Sequence, residues 1–386
     1  MIKFSFSDQS YQTGRIIGDR GNSPGPVMAF FGGIHGNEPS GVIALQNVFN
    51  HLETNQIEIK GRLLGLAGNL PALSEKKRFI SKDLNRIWDR DFSRQFQTRE
   101  SLTNGQTAEF QEQCELFEII EPFLELKTPV YFIDLHTTSS DSVPFIAIND
   151  QLNNRKFALR FPVPTVLGIE EYLQGPLLSY LNDFGHVAMA FEAGQHDDPK
   201  SVEFHTSFVY LAMLRAGVIR KEDIPDVEGH WQRLEESGRA DRGIFEVIYR
   251  RAITPDCKFK MQPGYRNFQS ISKGELLAKD FEGEIHASRR GHVFMPLYQN
   301  TGEDGFFIVR EVPMWALKLS SVLRKINFEY ALACLPGVSH HPTQPHALVV
   351  NKKVARFLAV QLFHLLGYRR KKDDGDVMIF SRREID

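Results

Sequence analysis

The chain has 386 residues, of which 42% are hydrophobic and 24% are charged, as is ordinary for a globular protein of more than one domain. Its 46 basic and 48 acidic side chains give a net charge of -2, which offers no general electrostatic reason to bind nucleic acid or an anionic membrane. No apolar run approaches the roughly 20 residues that span a bilayer, and the N-terminus lacks an apolar signal core. Cys114, Cys257 and Cys334 form no Cys-x-x-Cys pair and suggest no disulfide framework, so we expect a cytoplasmic protein.

Short apolar runs alternate with helical patterns through the first part of the chain. The predicted strands cover residues 26–31, 62–67, 130–135 and 187–191. One predicted helix begins after Pro39, and two others cover residues 108–126 and 207–216. This alternation predicts an α/β domain over residues 1–225, with a mixed, largely parallel sheet flanked by helices.

The pattern of apolar and polar residues changes after a polar segment at residues 220–226. Residues 244–249 alternate as a strand does, and several glycine-containing turn signals follow. Near the end, an apolar stripe before Gly367 predicts a helix at about residues 351–366. We therefore predict a smaller β-rich C-terminal domain over residues 226–386, with a helical extension.

A glycine-rich turn follows the first buried strand and carries His35 and Glu38, three residues apart. Imidazole nitrogen and carboxylate oxygen are both good zinc ligands. The surrounding glycines allow the backbone to turn sharply and bring both side chains to one point. A surface turn with an incidental histidine is the alternative, because a short His-x-x-Glu is common.

Two further polar groups stand where apolar strands are predicted to end. His136 follows the strand at 130–135, and Glu192 follows the strand at 187–191. Functional groups of α/β sheets gather at the carboxyl ends of strands, so His136 is a candidate third zinc ligand. Glu192 is a candidate general base on a metal-activated water. The alternatives are a core histidine, and a helix cap or salt bridge for the glutamate.

Asp134 and the segment from residue 78 to residue 88 supply the remaining candidates. Asp134 could orient a metal ligand, although packing or charge pairing explains it equally well. Arg78, Asn85 and Arg86 could clamp a carboxylate, since a guanidinium matches carboxylate geometry. The alternative for this segment is a solvated basic loop.

Taken together, these motifs resemble the succinylglutamate desuccinylase and aspartoacylase family, which is related to the zinc carboxypeptidases. The resemblance rests on four motifs in the same order: Gly-Gly-x-His-Gly-Asn-Glu at 32–38, Asp-Leu-Asn-Arg at 83–86, Asp-Leu-His-x-Thr at 134–138 and Glu-x-Gly at 192–194. It spans most of the first ~215 residues, the size of one ordinary domain.

The resemblance implies a carboxypeptidase-like fold and one zinc ion as cofactor. The roles that it implies are zinc ligation by His35, Glu38 and His136, general base catalysis by Glu192, polarisation of the scissile carbonyl by Arg78, and binding of a substrate carboxylate by Asn85 and Arg86.

The chain also departs from the family. Family members that act on acyl-aspartate carry a carboxylate-binding arginine about ten residues before the catalytic glutamate, on one short element. Residues 181–186 contain no arginine here, so we expect one carboxylate on the substrate instead of two. The family also places a substrate-contacting tyrosine in its C-terminal domain. Tyr298 is the candidate, and an ordinary half-buried tyrosine is the alternative.

We therefore expect a zinc-dependent amidohydrolase that cleaves an N-acyl amino acid or a similar amide bearing a free carboxylate. Metal-activated water attacks the amide, with Glu192 as the general base. The alternatives are a zinc carboxypeptidase acting on a peptide and a non-catalytic binding module that keeps the fold. The expected partner is a small-molecule substrate, and we expect no binding to nucleic acid or to a membrane. A homo-oligomer is possible.

Overall fold

The structure, a computed structural model, describes residues 1–89, 92, 96, 107–299, 301–325, 336–342, 347–351, 366–374 and 377–382. Most of the helix predicted near residues 351–366, namely residues 352–365, lies outside the described residues.

The strands and helices are numbered here in chain order. The strands are β1 Ile2–Phe6, β2 Gln9–Thr13, β3 Ile16–Arg20, β4 Val27–Gly32, β5 Arg62–Ala67, β6 Val130–Thr138, β7 Phe145–Ile148, β8 Thr165–Leu167, β9 Val187–Gln195, β10 Ile244–Ala252, β11 Lys260–Met261, β12 Ser270–Ile271, β13 Leu276–Asp280, β14 Gly283–His286, β15 Gly291–Phe294, β16 Asp304–Glu311, β17 Val338–His340, β18 Ala347–Asn351, β19 Tyr368–Asp374 and β20 Val377–Arg382. The helices are α1 Ser40–Thr54, α2 Leu70–Glu75, α3 Ala108–Leu124, α4 Leu152–Ala158, α5 Leu177–Asn182, α6 Lys200–Ala216, α7 Val227–Gly238 and α8 Met314–Lys325. No helix in the described ranges is long and apolar enough to cross a membrane.

Within the described residues, a mixed sheet of 11 strands forms the centre of the molecule, in the order β12-β15-β16-β10-β8-β7-β9-β6-β4-β5-β3. Strands β5, β4, β6 and β9 are parallel neighbours, and β7 runs antiparallel to β9. The carboxyl ends of β4, β6 and β9 therefore meet at one edge, where side chains from distant segments can form a site.

The two faces of this sheet are covered by different helices. On β4, Met28 and Phe30 pack with residues of α1 and α6, whereas Ala29 and Phe31 pack with residues of α3 and α5. Alternate residues of a strand point to opposite faces, which explains this division. Glu192 follows Ala188 by four residues on β9, so it shares the face that α3 and α5 cover.

This arrangement confirms the predicted fold class, a mixed sheet flanked by helices with smaller β-rich elements towards the C-terminus. Two strands are longer than their apolar runs indicate. Strand β6 continues to Thr138 and β9 continues to Gln195, so His136 and Glu192 lie within strands and not after them. The reason is backbone pairing, because His136 and Glu192 are aligned partners in the parallel β6–β9 ladder.

Two small sheets accompany the C-terminal half of the chain. One has the order β11-β13-β14, and the other has the order β17-β18-β20-β19. The central sheet also extends into this half, because β8 pairs in parallel with β10. The predicted division into domains at residues 1–225 and 226–386 stays a prediction.

Candidate metal centre and active site

The turn between β4 and α1 carries the first two candidate ligands. Strand β4 ends at Gly32, and Gly33 adopts φ +70°, a left-handed conformation that favours glycine. The chain then reaches His35 and Glu38 before α1 begins at Ser40. Strand β6 is the parallel neighbour of β4 and brings His136 to the same edge of the sheet.

Ligand atoms of His35, Glu38 and His136 lie within 4.8 Å of one another. The Nδ1 atom of His35 is 2.9 Å from Glu38 Oε1, and the Nδ1 atom of His136 is 3.0 Å from Glu38 Oε2. All three side chains are buried. Two imidazoles and a carboxylate are a donor set that suits zinc, so this group could hold a metal ion.

A second carboxylate holds the far nitrogen of each imidazole. His35 Nε2 is 3.0 Å from Asp83 Oδ1, and His136 Nε2 is 2.6 Å from Asp134 Oδ2. A neutral imidazole that donates from Nε2 keeps the lone pair of Nδ1 free for a metal. Metal-binding histidines in proteins commonly have such a carboxylate partner, so the arrangement fits a bound ion.

The formal charges of the group also fit a divalent cation. Glu38, Asp83 and Asp134 contribute three negative charges, and Arg78, beside Asp83 and Glu38, contributes one positive charge. With neutral imidazoles, as metal ligands require, two negative charges remain. Buried charges need a partner or a metal, and a divalent cation would balance these two.

The electrostatics of the ligands follow from their burial and their neighbours. Burial opposes the charge of Glu38, yet His35 and His136 lower its pKa well below the usual value. Burial likewise opposes the charge of His136, but Asp134 and Glu38 on either side raise its pKa well above the usual value. The Glu38 carboxylate is therefore held ionised, as a metal ligand must be.

Glu192 lies beside this group without being one of its converging ligands. Its side chain is buried, and its Oε2 atom has no hydrogen-bond partner among the described residues. Burial raises the pKa of Glu192 to about 8, and the negative charge of Glu38 adds to this effect. A buried carboxyl group with a raised pKa and an unused oxygen is a candidate acid or base.

Arg78 contacts the ligand group through Asp83 and Glu38. Its Nε and Nη2 atoms donate to Asp83 Oδ2 at 3.2 and 3.1 Å, and its Nη1 atom is 3.6 Å from Glu38 Oε1. The side chain also lines the cavity at the metal group. It is therefore placed where a substrate carbonyl could meet it, and its role in polarising that carbonyl stays a prediction.

Arg86 and Asn85 line the same cavity, but both have partners within the protein. Arg86 Nη2 is 3.4 Å from Asp304 Oδ2, and Asp304 also accepts a hydrogen bond from Arg250. Asn85 Oδ1 accepts a hydrogen bond of 2.9 Å from the backbone of Leu177. Asp304 thus already supplies a carboxylate to Arg86, and the binding of a substrate carboxylate by Asn85 and Arg86 stays a prediction.

Tyr298 does not line the cavity. Its hydroxyl donates to the carbonyl of Gln262 at 2.8 Å and accepts from the backbone N–H of Tyr265 at 2.9 Å. Its side chain is 39% exposed. Both hydrogen bonds of this hydroxyl are to residues of the C-terminal half, and a substrate contact by Tyr298 stays a prediction.

The cavity at the metal group has a volume of about 830 Å³, within the range of small-molecule sites. The predicted site residues that line it are His35, Glu38, Arg78, Asn85, Arg86, His136 and Glu192. A smaller cavity of about 420 Å³ lies where β6 and β9 begin and contains none of these residues.

The sequence patterns predicted no role for several residues that the structure places at the site. Asp83 opens the Asp-Leu-Asn-Arg motif, but nothing in that motif indicates its bond to His35. His205 is fully buried and supports the ligand strand, because its Nε2 donates to the carbonyl of His136 at 3.1 Å. Burial lowers the pKa of His205 to about 3 and keeps it neutral. Asp304 lies in a glycine-containing turn signal, which does not indicate its pairing with Arg86.

Comparison with known proteins agrees with this geometry. Residues 24–204 match the family described as "Succinylglutamate desuccinylase/Aspartoacylase catalytic domain". The succinylglutamate desuccinylase of Pseudomonas putida (strain GB-1) is 27% identical over 254 residues, which are 64% of this chain and 71% of that protein.

Two solved structures are similar in fold. The succinylglutamate desuccinylase/aspartoacylase of Rhodobacter sphaeroides has a TM-score of 0.55 at 19% identity, covering 76% of this chain and 87% of that one. The succinylglutamate desuccinylase of Vibrio cholerae has a TM-score of 0.56 at 17% identity, covering 75% of this chain and 83% of that one. With the matched motifs and the buried His-Glu-His group, residues 24–204 are assigned to the succinylglutamate desuccinylase/aspartoacylase family of hydrolases.

Proposed function

We propose that this protein is a zinc-dependent amidohydrolase that cleaves an N-acyl amino acid, or a similar amide with a free carboxylate. The observation that carries the proposal is the convergence of His35, Glu38 and His136 beside Glu192, whose Oε2 atom has no hydrogen-bond partner among the described residues. The relatives named as desuccinylases support the choice of an acyl-amide substrate.

Each side chain has a definite task in the proposed reaction. When bound, zinc acidifies a water molecule and polarises the scissile carbonyl. Glu192 accepts a proton from the attacking water and then delivers it to the leaving nitrogen. Arg78 donates hydrogen bonds to the negative charge that develops on the carbonyl oxygen. Asp83 and Asp134 orient the two imidazoles through their Nε2 atoms.

The charges around Arg86 favour a substrate with one carboxylate. Arg86 and Arg250 both contact Asp304, so two guanidinium groups share one carboxylate and one positive charge remains. Residues 181–186 add no arginine. The surplus positive charge of this group of three side chains suits one substrate carboxylate, and Asn85 and Arg86 are the proposed residues that bind it.

The direct test compares amides with metal-loaded protein. We expect hydrolysis of N-acyl amino acids, loss of activity with a chelator and recovery with zinc. Peptides with a free C-terminus form the second panel, and cleavage restricted to them would replace this proposal by a carboxypeptidase. If zinc-loaded protein binds these amides but cleaves none, a binding module is the better description.

Glu192→Gln tests the general base directly. We expect turnover to fall by about two to four orders of magnitude, because the amide cannot accept the proton. Zinc content, measured by elemental analysis, should stay at the wild-type level, since Glu192 is not a proposed ligand. Glu303→Gln, the same change at an exposed residue of the cavity rim, is the control and should keep full activity. Loss of zinc in Glu192→Gln would make that residue a ligand.

A further inference from the structure

The floor of the cavity beside Glu192 contains two small side chains in adjacent strands. Ala190 precedes Glu192 by two residues on β9 and therefore points to the same face of the sheet. Ala147 of β7 is its aligned antiparallel partner. These alanines are 7% and 6% exposed and line the cavity, whereas their neighbour Phe145, the partner of Glu192, is fully buried. The two alanines thus leave a depression next to the proposed base.

Apolar side chains from four other parts of the fold surround this depression. The wall residues are Ile169 and Leu173 after β8, Leu178 of α5, Met295 after β15 and Phe307 of β16. They pack in one cluster with the two alanines, and the first four of them are only partly buried. Partly buried apolar side chains around a depression leave apolar surface that a ligand can cover.

We infer that this depression, the alanine chamber, binds an apolar group attached to the scissile amide. The inference rests on the proposed function, because the chamber adjoins Glu192 and a group in it would be carried by the substrate of that site. A second carboxylate there would lose its hydration without a positive charge among the wall residues. The substrate class is then an N-acyl amino acid with one carboxylate and an alkyl or aromatic substituent.

The apolar group can belong either to the acyl part or to the amine part, and two substrate series separate these sources. The acyl series is N-acetyl-, N-butyryl-, N-hexanoyl- and N-octanoylglycine. The amine series is N-acetylglycine, N-acetylalanine, N-acetylleucine and N-acetylphenylalanine. We expect kcat/KM to rise along one series by up to about fourfold for each methylene, which corresponds to ~0.8 kcal/mol per buried methylene.

Ala147→Leu tests the location by filling the chamber. We expect kcat/KM for the longest substrate of the preferred series to fall at least about tenfold, while the value for N-acetylglycine changes by less than about twofold. Ala240→Leu, the same change at an exposed position, should leave both values unaltered. If Ala147→Leu does not fold, Leu173→Gln is the second test, because it makes a partly buried wall residue polar at similar size. It should lower the ratio of kcat/KM for the longest substrate to kcat/KM for N-acetylglycine.

Failure of this inference is distinguishable from failure of the proposed function. Equal kcat/KM along both series, or an equal loss for short and long substrates in Ala147→Leu, would overturn the chamber while hydrolysis itself remains. If no amide is cleaved, the chamber is tested by binding. The measurement is the dissociation constant of each compound with zinc-loaded Glu192→Gln and with the double variant that also carries Ala147→Leu. Tighter binding of longer compounds that Ala147→Leu removes supports the chamber, and equal binding excludes it.

Discussion

At the scale of single residues, the titration of Glu192 affects stability in a defined direction. Its pKa is about 8 in the folded metal-free protein, against 4.5 for an unperturbed glutamate. Folding therefore favours the protonated carboxyl group, whose contribution is fully present below about pH 4.5. This contribution is lost as the pH rises towards 8, because the unfolded chain ionises first.

The measurement is the free energy of unfolding of chelator-treated protein between pH 5 and pH 8.5. We expect the value for wild type, relative to Glu192→Gln, to fall across this interval, because glutamine does not titrate. Taking the difference removes contributions from His136, whose raised pKa acts in the same direction. Glu303→Gln should run parallel to wild type. Parallel curves for wild type and Glu192→Gln would show that burial does not raise the pKa of Glu192.

Arg86 gives a second prediction at this scale. Arg86→Ala should lower kcat/KM for a substrate with a free carboxylate by roughly 1–3 kcal/mol, the range for a charged hydrogen bond. The same change should have little effect on a neutral analogue in which an amide replaces the carboxylate. Equal losses on both substrates would show that Arg86 acts through its contact with Asp304 and not on the substrate.

Asp304→Asn changes the charge of the carboxylate that pairs with Arg86 and complements the Arg86→Ala test. It leaves Arg86 and Arg250 without their shared carboxylate and adds one positive charge beside the cavity. We expect kcat/KM for a di-anionic substrate, such as N-acetylaspartate, to rise relative to a mono-anionic one. An unchanged ratio would show that Asp304 does not set the number of carboxylates.

At the scale of elements, the turn from β4 to α1 depends on its contact with α2. The N–H of Gly36 donates to the carbonyl of Arg78 at 3.1 Å, and a Cβ atom on Gly36 would overlap the backbone of Ala72 and Leu73. Backbone atoms cannot move aside as a flexible side chain does. Any side chain at this position therefore displaces the turn that carries His35 and Glu38.

Gly36→Ala should accordingly reduce zinc affinity and destabilise the fold by about 1–3 kcal/mol, the usual range for overpacking. Zinc content after dialysis against a weak chelator and the thermal midpoint provide the two readouts. Gly14→Ala is the control, because its Cβ atom would meet only Met1 Cγ at 3.8 Å, an ordinary contact. Wild-type zinc retention in Gly36→Ala would contradict the proposed dependence on α2.

At the scale of the whole molecule, the central sheet joins the two predicted domains. Strand β8 at Thr165–Leu167 pairs with β10 at Ile244–Ala252. One apolar cluster contains Phe145, Val166 and Ala190 from the first region together with Phe245, Phe294 and Phe307 from the second. Separating the regions would expose this cluster and a strand edge to water.

We therefore expect the described sheet to unfold as one cooperative unit. Thermal unfolding followed by circular dichroism and by tryptophan fluorescence should give coincident transitions, with equal calorimetric and van't Hoff enthalpies. Limited proteolysis near residue 225 should yield no stable fragment. Two resolved transitions, or a stable fragment of residues 1–225, would contradict this expectation and support independent domains.

The sequence by itself determined the elements whose signals are local. Strand β5 has the predicted bounds, and the turn holding His35 and Glu38 follows from a buried run, glycines and Pro39. Apolar periodicity and glycine chemistry act over a few residues, so neighbouring letters are sufficient to reveal them. The apolar run of β9 was visible for the same reason, but the extension of that strand past Glu192 comes from pairing with β6.

Only the tertiary structure decided which polar groups meet. Asp83 bonds His35 across 48 residues, and Asp304 pairs with Arg86 across 218 residues. The hydroxyl of Tyr298 donates to the carbonyl of Gln262 across 36 residues. Such contacts depend on how distant strands and loops pack. A buried polar or charged side chain needs a hydrogen-bond partner, and the tertiary structure determines which partner lies within hydrogen-bond distance.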